Sequence, residues 1–171
     1  MTKRVYLIGF MGSGKSTLGR WLANAMEGWT FLDLDHFIEN KYHKTIPQIF
    51  EEKGEDGFRQ IEASCLGEIS CFEKVIVGAG GGTPCFFNNM EVMNNTGLSI
   101  YLQLTPQVIY NRLQTSKSQR PLIKGKKGDE LLDYIAVKLA EREGFYTKAK
   151  LIADADNWVV EDFVNAIRNH S

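Results

Sequence analysis

Short apolar runs alternate with longer stretches of helical periodicity along this chain. Val5-Tyr6-Leu7-Ile8 is unbroken by polar residues and ends in glycine, the pattern of a strand buried on both faces. A helix is expected from Gly14 to Met26 and a second strand from Thr30 to Leu34. Thr45-Ile46-Pro47-Gln48 has the form of a capping box with proline close to the first helical position. Phe58, Ile61, Cys65, Ile69 and Phe72 then make a helical stripe. Val75-Ile76-Val77 reads as a third strand and Leu98 to Leu104 as a fourth. Thr105-Pro106 opens another helix, and Leu132, Ile135, Leu139 and Tyr146 share the face of a later one. Lys150 to Ala153 predicts a last short strand, followed by a C-terminal helix from about Trp158. Strands alternating with helices predict an α/β protein whose mostly parallel sheet is covered on both faces. In such sheets ligands bind beyond the carboxyl ends of the strands, which selects the loops that matter.

Composition narrows the class. At 171 residues and 19.4 kDa the chain suits one domain, residues 1–171. With 43% hydrophobic and 24% charged residues it is not disordered or low-complexity. Lys+Arg 20 against Asp+Glu 21 leaves a net charge of -1, which argues against a nucleic-acid binder. Cys65, Cys71 and Cys85 have no CxxC spacing and read as small core residues in a reducing compartment. No segment approaches the ~18 consecutive apolar residues of a membrane span. The N-terminal run is interrupted before a signal-peptide cleavage segment, so a cytoplasmic address is expected.

The loop after the first strand, Gly9-Phe10-Met11-Gly12-Ser13-Gly14-Lys15-Ser16-Thr17, matches G-x-x-x-x-G-K-[ST] between a strand and a helix. Its glycines let backbone N–H groups turn toward phosphate oxygens, and the helix N-terminus adds its positive dipole end. Lys15 is expected to reach the β- and γ-phosphates and Ser16 to ligate Mg²⁺. The plain alternative is a glycine-rich turn. After the second strand, Asp33-Leu34-Asp35 presents two carboxylates which, if strand geometry persists, point the same way. One could hold Mg²⁺ through water, and the other could orient or deprotonate a substrate hydroxyl. Alternatively they are solvated turn acids, or one caps the next helix. Gly80-Gly81-Gly82, after the third strand, suits a ligand that approaches the main chain closely.

Two arginines stand out. Arg59 is expected near the start of its helix and one turn from Glu62. Arg142 lies on the stripe of the late helix, so it faces protein or a cleft and needs an anion. An internal acid or a ligand carboxylate would serve equally. From Val92 to Gly128 there is no Asp or Glu, while Arg112, Lys117, Arg120, Lys124, Lys126 and Lys127 are basic. Residues 114–128 read as a mobile lid that closes over polyphosphate, with Arg120 offering charge to the γ-phosphoryl group. A solvated basic loop is the alternative. The tryptophans and most phenylalanines read as packing.

The chain resembles the shikimate kinases, small P-loop kinases of the nucleoside-monophosphate-kinase type. The resemblance rests on GFMGSGKSTLG (Gly9 to Gly19), DLD (Asp33 to Asp35), TIPQIFEEKGEDGFRQIE (Thr45 to Glu62), GGGT (Gly80 to Thr83), QRPL (Gln119 to Leu122) and REGFYTKA (Arg142 to Ala149). It implies a three-layer α/β/α P-loop NTPase fold with a five-stranded, mostly parallel sheet and a mobile lid. It also implies transfer of the ATP γ-phosphoryl group to the 3-hydroxyl of shikimate, with Mg²⁺ as cofactor. In that family's terms Asp35, Arg59 and Arg142 hold shikimate with backbone from Gly80, Gly81 and Gly82, and residues 33–60 form the acceptor-binding segment. The two arginines would grip the carboxylate, with Glu62 supporting Arg59. Gly12, Ser13, Gly14, Lys15, Ser16 and Thr17 would bind nucleotide, with Arg112 against adenine and Asp156 and Asn157 nearby. Lys15, Asp35 and Arg120 would be catalytic, and Ser16 and Asp33 would serve Mg²⁺. An arginine usual shortly after the triple glycine is missing, and Phe86, Phe87 and Asn88 stand there with no binding role expected. The implied partners are ATP and shikimate, with no nucleic acid, no membrane and a monomeric chain. A kinase for another carboxylated alcohol such as gluconate, or a GTP-binding switch, are rival readings. The guanine motif N-K-x-D that a switch requires is absent.

Overall fold

A computed structural model describes residues 3–115, 123 and 125–170. Five strands, β1 (Arg4–Ile8), β2 (Thr30–Asp33), β3 (Val75–Gly78), β4 (Leu98–Gln103) and β5 (Leu151–Asp154), form a sheet in the order β2-β3-β1-β4-β5. All four pairings are parallel, and the central strands β1, β3 and β4 carry the buried apolar runs typical of such sheets. Tyr6 and Ile8 face one core and Val5 and Leu7 the other, because successive strand side chains alternate.

Among the described residues seven α-helices cover the two faces: α1 (Lys15–Ala25), α2 (Leu34–Tyr42), α3 (Ile46–Ile69), α4 (Asn89–Thr96), α5 (Pro106–Thr115), α6 (Gly128–Tyr146) and α7 (Val160–Asn169). α1 and α7 pack Leu18, Leu22, Phe163, Val164 and Ile167 against Val5, Leu7, Ile76, Ile100 and Leu102. The other helices bury Leu34, Ile38, Phe58, Cys65, Leu113, Ile135 and Tyr146 on the opposite face. Crossovers on both faces are the geometry that parallel strands impose. No helix among the described residues is long and apolar enough to cross a membrane.

Several details differ from the sequence reading. β2 stops at Asp33, and Leu34 already belongs to α2, because Asp33 caps that helix. The Thr45–Gln48 capping box forms as expected, but α3 runs on to Ile69 through a kink at Gly54, whose φ of 67° few other residues would accept. The backbone at Gly54 is non-helical, so Arg59 lies near the start of the helical stretch that follows it, as expected. Phe72 falls beyond the helix and is exposed. On α6 it is Leu131, not Leu132, that is buried with Ile135, Leu139 and Tyr146. Only Cys65 of the three thiols is buried; Cys71 is exposed and Cys85 intermediate. Gln114 and Thr115 close α5 and Gly128 opens α6. Arg120, with residues 116–122 and 124 of the expected lid, lies outside the described residues.

Candidate functional site

The register of the sheet assembles the site. Leu7 and Asp33 are both paired with Gly78, so the loops after β1, β2 and β3 leave the same sheet edge side by side. They enclose a cavity of about 370 Å³ lined by Gly12, Gly14, Lys15, Ser16, Thr17, Asp33, Asp35, Gly80, Gly81 and Arg112.

On one side lies the loop before α1. Gly14 holds the N-cap with φ 91° and has no side chain to cap the first turn, which carries no acid either. The helix N-terminus thus presents N–H donors and positive dipole to an anion. Lys15 Nζ donates to the Gly9 and Phe10 carbonyls at 2.8 and 2.9 Å, so the ammonium is held beside the same loop. Ser13 is buried beneath it. Ser16 Oγ donates to Asp33 Oδ2 at 3.2 Å, while Asp33 Oδ1 accepts from the Asp35 and His36 amides at 3.0 and 3.2 Å. A hydroxyl and a carboxylate oxygen side by side at a phosphate loop suit a hard, oxygen-seeking cation. Among the described residues no group of three or more His, Cys, Asp or Glu side chains is placed to hold a metal. A cation here would therefore lean on phosphate and water.

The two acids converge by a route other than strand parity. Asp33 caps α2 and Asp35 occupies its first turn, and both line the cavity. Burial pushes the Asp35 carboxyl up from 3.8 to about 6, with the charges of Asp33 and Glu62 adding to the rise and Lys15 opposing it.

On the far side stands an arginine network. Glu62 is 1% exposed, accepts from Arg59 Nη1 at 3.0 Å on one oxygen, and from Thr83 Oγ1 at 2.5 Å on the other. Thr83 is held in turn by buried Asn89, whose Nδ2 donates to the Thr83 carbonyl at 2.9 Å. Arg59 Nη2 meets exposed Glu55 at 3.5 Å, and Nε is buried with no hydrogen-bond partner among the described residues. One edge of the fork, Nε with Nη2, thus remains weakly engaged, the edge a carboxylate binds bidentately. A methyl carbon at Gly82 would lie 2.6 Å from Arg59 Nη2, and one at Gly81 3.0 Å from Arg142 Nη1. Both arginines therefore lie against the bare backbone of the triple-glycine loop. Arg142 sits 5.5 Å from the Phe10 ring centroid and has no ion-pair partner among the described residues, so the internal acid considered for it is not found there. Tyr146 donates to the Gly81 carbonyl at 2.5 Å and fixes the loop from behind.

Arg112 borders the phosphate cavity and a second one of about 560 Å³. Its Nη1 donates to the Ser13 carbonyl and its Nη2 pairs with Asp156, both at 3.4 Å. The second cavity is lined by Ala155, Trp158 and Val159 of the segment before α7 and Val160 at its start, with Trp21 of α1. Asp156 and Asn157 line a separate cavity instead, and Asn157 donates to Asp154 at 2.6 Å. The tryptophans read as packing thus include two cavity-lining side chains, and no local signal marks them. Phe86, given no role beforehand, lies 4.1 Å from Arg59 Cζ.

Comparison with known proteins places the chain as a whole. The shikimate kinase family profile matches residues 11–170. A shikimate kinase of Parabacteroides distasonis is 47% identical over 98% of this chain and 96% of its own. The crystal structure of shikimate kinase from Bacteroides thetaiotaomicron superposes with a TM-score of 0.90 at 42% identity, covering 99% of this chain and 98% of that one. A shikimate kinase from Acinetobacter baumannii, solved in complex with shikimate, gives 0.83 at 32% identity over 99% and 93%. By the profile match over nearly its whole length and the identity to these relatives, this chain belongs to the shikimate kinase family.

Proposed function

We propose that this chain transfers the γ-phosphoryl group of ATP to the 3-hydroxyl of shikimate, giving shikimate 3-phosphate and ADP on the route to chorismate and the aromatic amino acids. One observation carries the reading. Asp35 lines the phosphate cavity and also stands beside the arginine network: a methyl carbon at Gly80 would lie 3.6 Å from both Asp35 Oδ1 and Glu62 Oε1. A carboxylated alcohol gripped by Arg59 and Arg142 would therefore offer its hydroxyl to Asp35, with the phosphate loop adjacent.

The chain acts on this reading as one kinase domain, with residues 33–60 receiving the acceptor and 114–128 closing over the nucleotide. The loop amides and Lys15 hold the β- and γ-phosphates, and Arg112 covers the base. Ser16 and Asp33 would hold Mg²⁺, which would supply neutralisation of charge on the phosphate oxygens. A loose phosphoryl-transfer transition state requires alignment and cationic support more than a strong base. Lys15 supplies one such charge, and Arg120 the second. Asp35, titrating near 6, is ionised at neutral pH and accepts the acceptor's hydroxyl proton. The three free thiols fit a reducing cytoplasm as the site of action.

The test is ADP release measured across shikimate, gluconate and nucleoside monophosphates. Shikimate alone should stimulate it, and Lys15→Ala should abolish the stimulation in folded protein. Gluconate-dependent release, or slow GTP hydrolysis indifferent to any acceptor, would reject the proposal.

A further inference from the structure

We infer that Phe86 is a positioning residue for the acceptor carboxylate, acting through the guanidinium of Arg59. The inference rests on reading Arg59 as the carboxylate fork. Arg59 Cζ lies 4.1 Å from the Phe86 ring centroid, against 5.2 Å for the neighbouring Phe58 ring. A separation of 4.1 Å is too short for an edge-on approach past the ring hydrogens, so the cation lies over the negative face of the ring. The Arg59 side chain is 13% exposed, which leaves little solvent to screen that attraction.

Arg59 has otherwise few constraints on the plane of its fork. Glu62 fixes Nη1, Glu55 reaches Nη2 only at 3.5 Å from a side chain 60% exposed, and Nε has no partner among the described residues. With its central carbon 4.1 Å from the Phe86 ring centroid, the guanidinium can swing away only by losing that contact. Phe86 thereby orients the Nε–Nη2 edge.

The backbone around Phe86 is arranged at a cost. Residues Thr83–Cys85 form a 3₁₀ turn, Phe86 is extended, and Phe87 takes φ 48°. That left-handed conformation is unfavourable for a phenylalanine, and Phe87 is 65% exposed, so its own burial does not compensate. Buried Asn89, bonded to the Thr83 carbonyl, anchors the turn from the other end. The strained reversal delivers the neighbouring ring to Arg59.

The test is steady-state kinetics on purified Phe86→Ala, Phe86→Leu and Phe86→Tyr, together with Phe86 replaced by phenylalanines of increasing ring fluorination. Phe86→Ala should raise the shikimate KM roughly tenfold, with kcat and the ATP KM within about twofold of wild type. Phe86→Tyr should restore the KM, because its ring keeps a negative face. Phe86→Leu should not, although it refills the apolar volume. Fluorination drains the ring face while keeping its shape, so the KM should climb with each added fluorine. Full rescue by leucine, or a flat fluorine series, would mean packing alone and overturn the inference. The fluorinated proteins carry the test should the alanine variant fail to fold. Arg59→Ala run in parallel separates the two layers of the argument. An unchanged shikimate KM there removes the carboxylate reading and this inference with it. A raised KM in Arg59→Ala beside normal Phe86 variants removes this inference only.

Discussion

Asp35→Asn should stabilise the protein while destroying its activity. The Asp35 carboxyl is held at about 6 in the fold against an ordinary 3.8, chiefly because burial penalises its charge. Since the folded-state value is raised, the folded chain binds this proton more tightly than the unfolded chain. The stability contributed by the group is complete below pH 3.8 and is lost as pH rises through about 6. At ~1.36 kcal/mol per pH unit the loss amounts to about 3 kcal/mol by neutral pH. Asparagine has nearly the shape of the protonated acid and does not titrate. The variant and the wild type should thus melt together near pH 4, and the variant should melt higher by roughly 6–12 °C at pH 8, at ~2–4 °C per kcal/mol. Shikimate-dependent turnover should be abolished at every pH, because an amide cannot accept the hydroxyl proton. The wild-type kcat/KM should show an acidic limb with an apparent pKa near 6. Calorimetric melts of both proteins from pH 4 to 8 decide the matter. A difference in Tm that does not change with pH, or a variant less stable than wild type at pH 8, would refute the reasoning.

Two further substitutions probe the arginine network. Gly82→Ala places a methyl carbon 2.6 Å from Arg59 Nη2, so the guanidinium must swing aside. The shikimate KM should rise about tenfold or more with the fold intact, since small misplacements of a binding group are expensive. A wild-type KM would show that the fork does not lie against this loop. Thr83→Val removes the hydroxyl that donates to buried Glu62 Oε1 at 2.5 Å. Leaving that oxygen unsatisfied should cost about 1–3 kcal/mol. Thermal melts should detect the loss as a Tm lower by several degrees, and a Tm unchanged from wild type would exclude it.

The phosphate loop was readable because its chemistry is local. Its glycines take backbone angles that most residues avoid, and its lysine and serine follow within the same turn. The three central strands β1, β3 and β4 were readable because their largely apolar runs suit burial on both faces. Asp33 and Asp35 do line one cavity, but not for the reason the sequence offered. Strand parity fails where α2 begins at Leu34, and the cap at Asp33 brings the two acids together instead. Arg59 and Glu62 were legible at helical spacing. Their completion by Thr83, Asn89 and Phe86 was not, since those side chains arrive on the segment from β3 into α4, which the sheet register places beside α3. The same holds for Trp21 and Trp158, which border one cavity from α1 and from the turn before α7.

Periodicity, caps and turn residues depend on near neighbours in the chain, and so the order of elements and the phosphate loop followed from the amino acids in line. The raised carboxyl of Asp35, the half-engaged fork of Arg59 and the identity of the second cavity's walls came from packing alone. Burial and charge proximity are set by all the elements around a group, and those elements meet only once the sheet has ordered its strands β2-β3-β1-β4-β5.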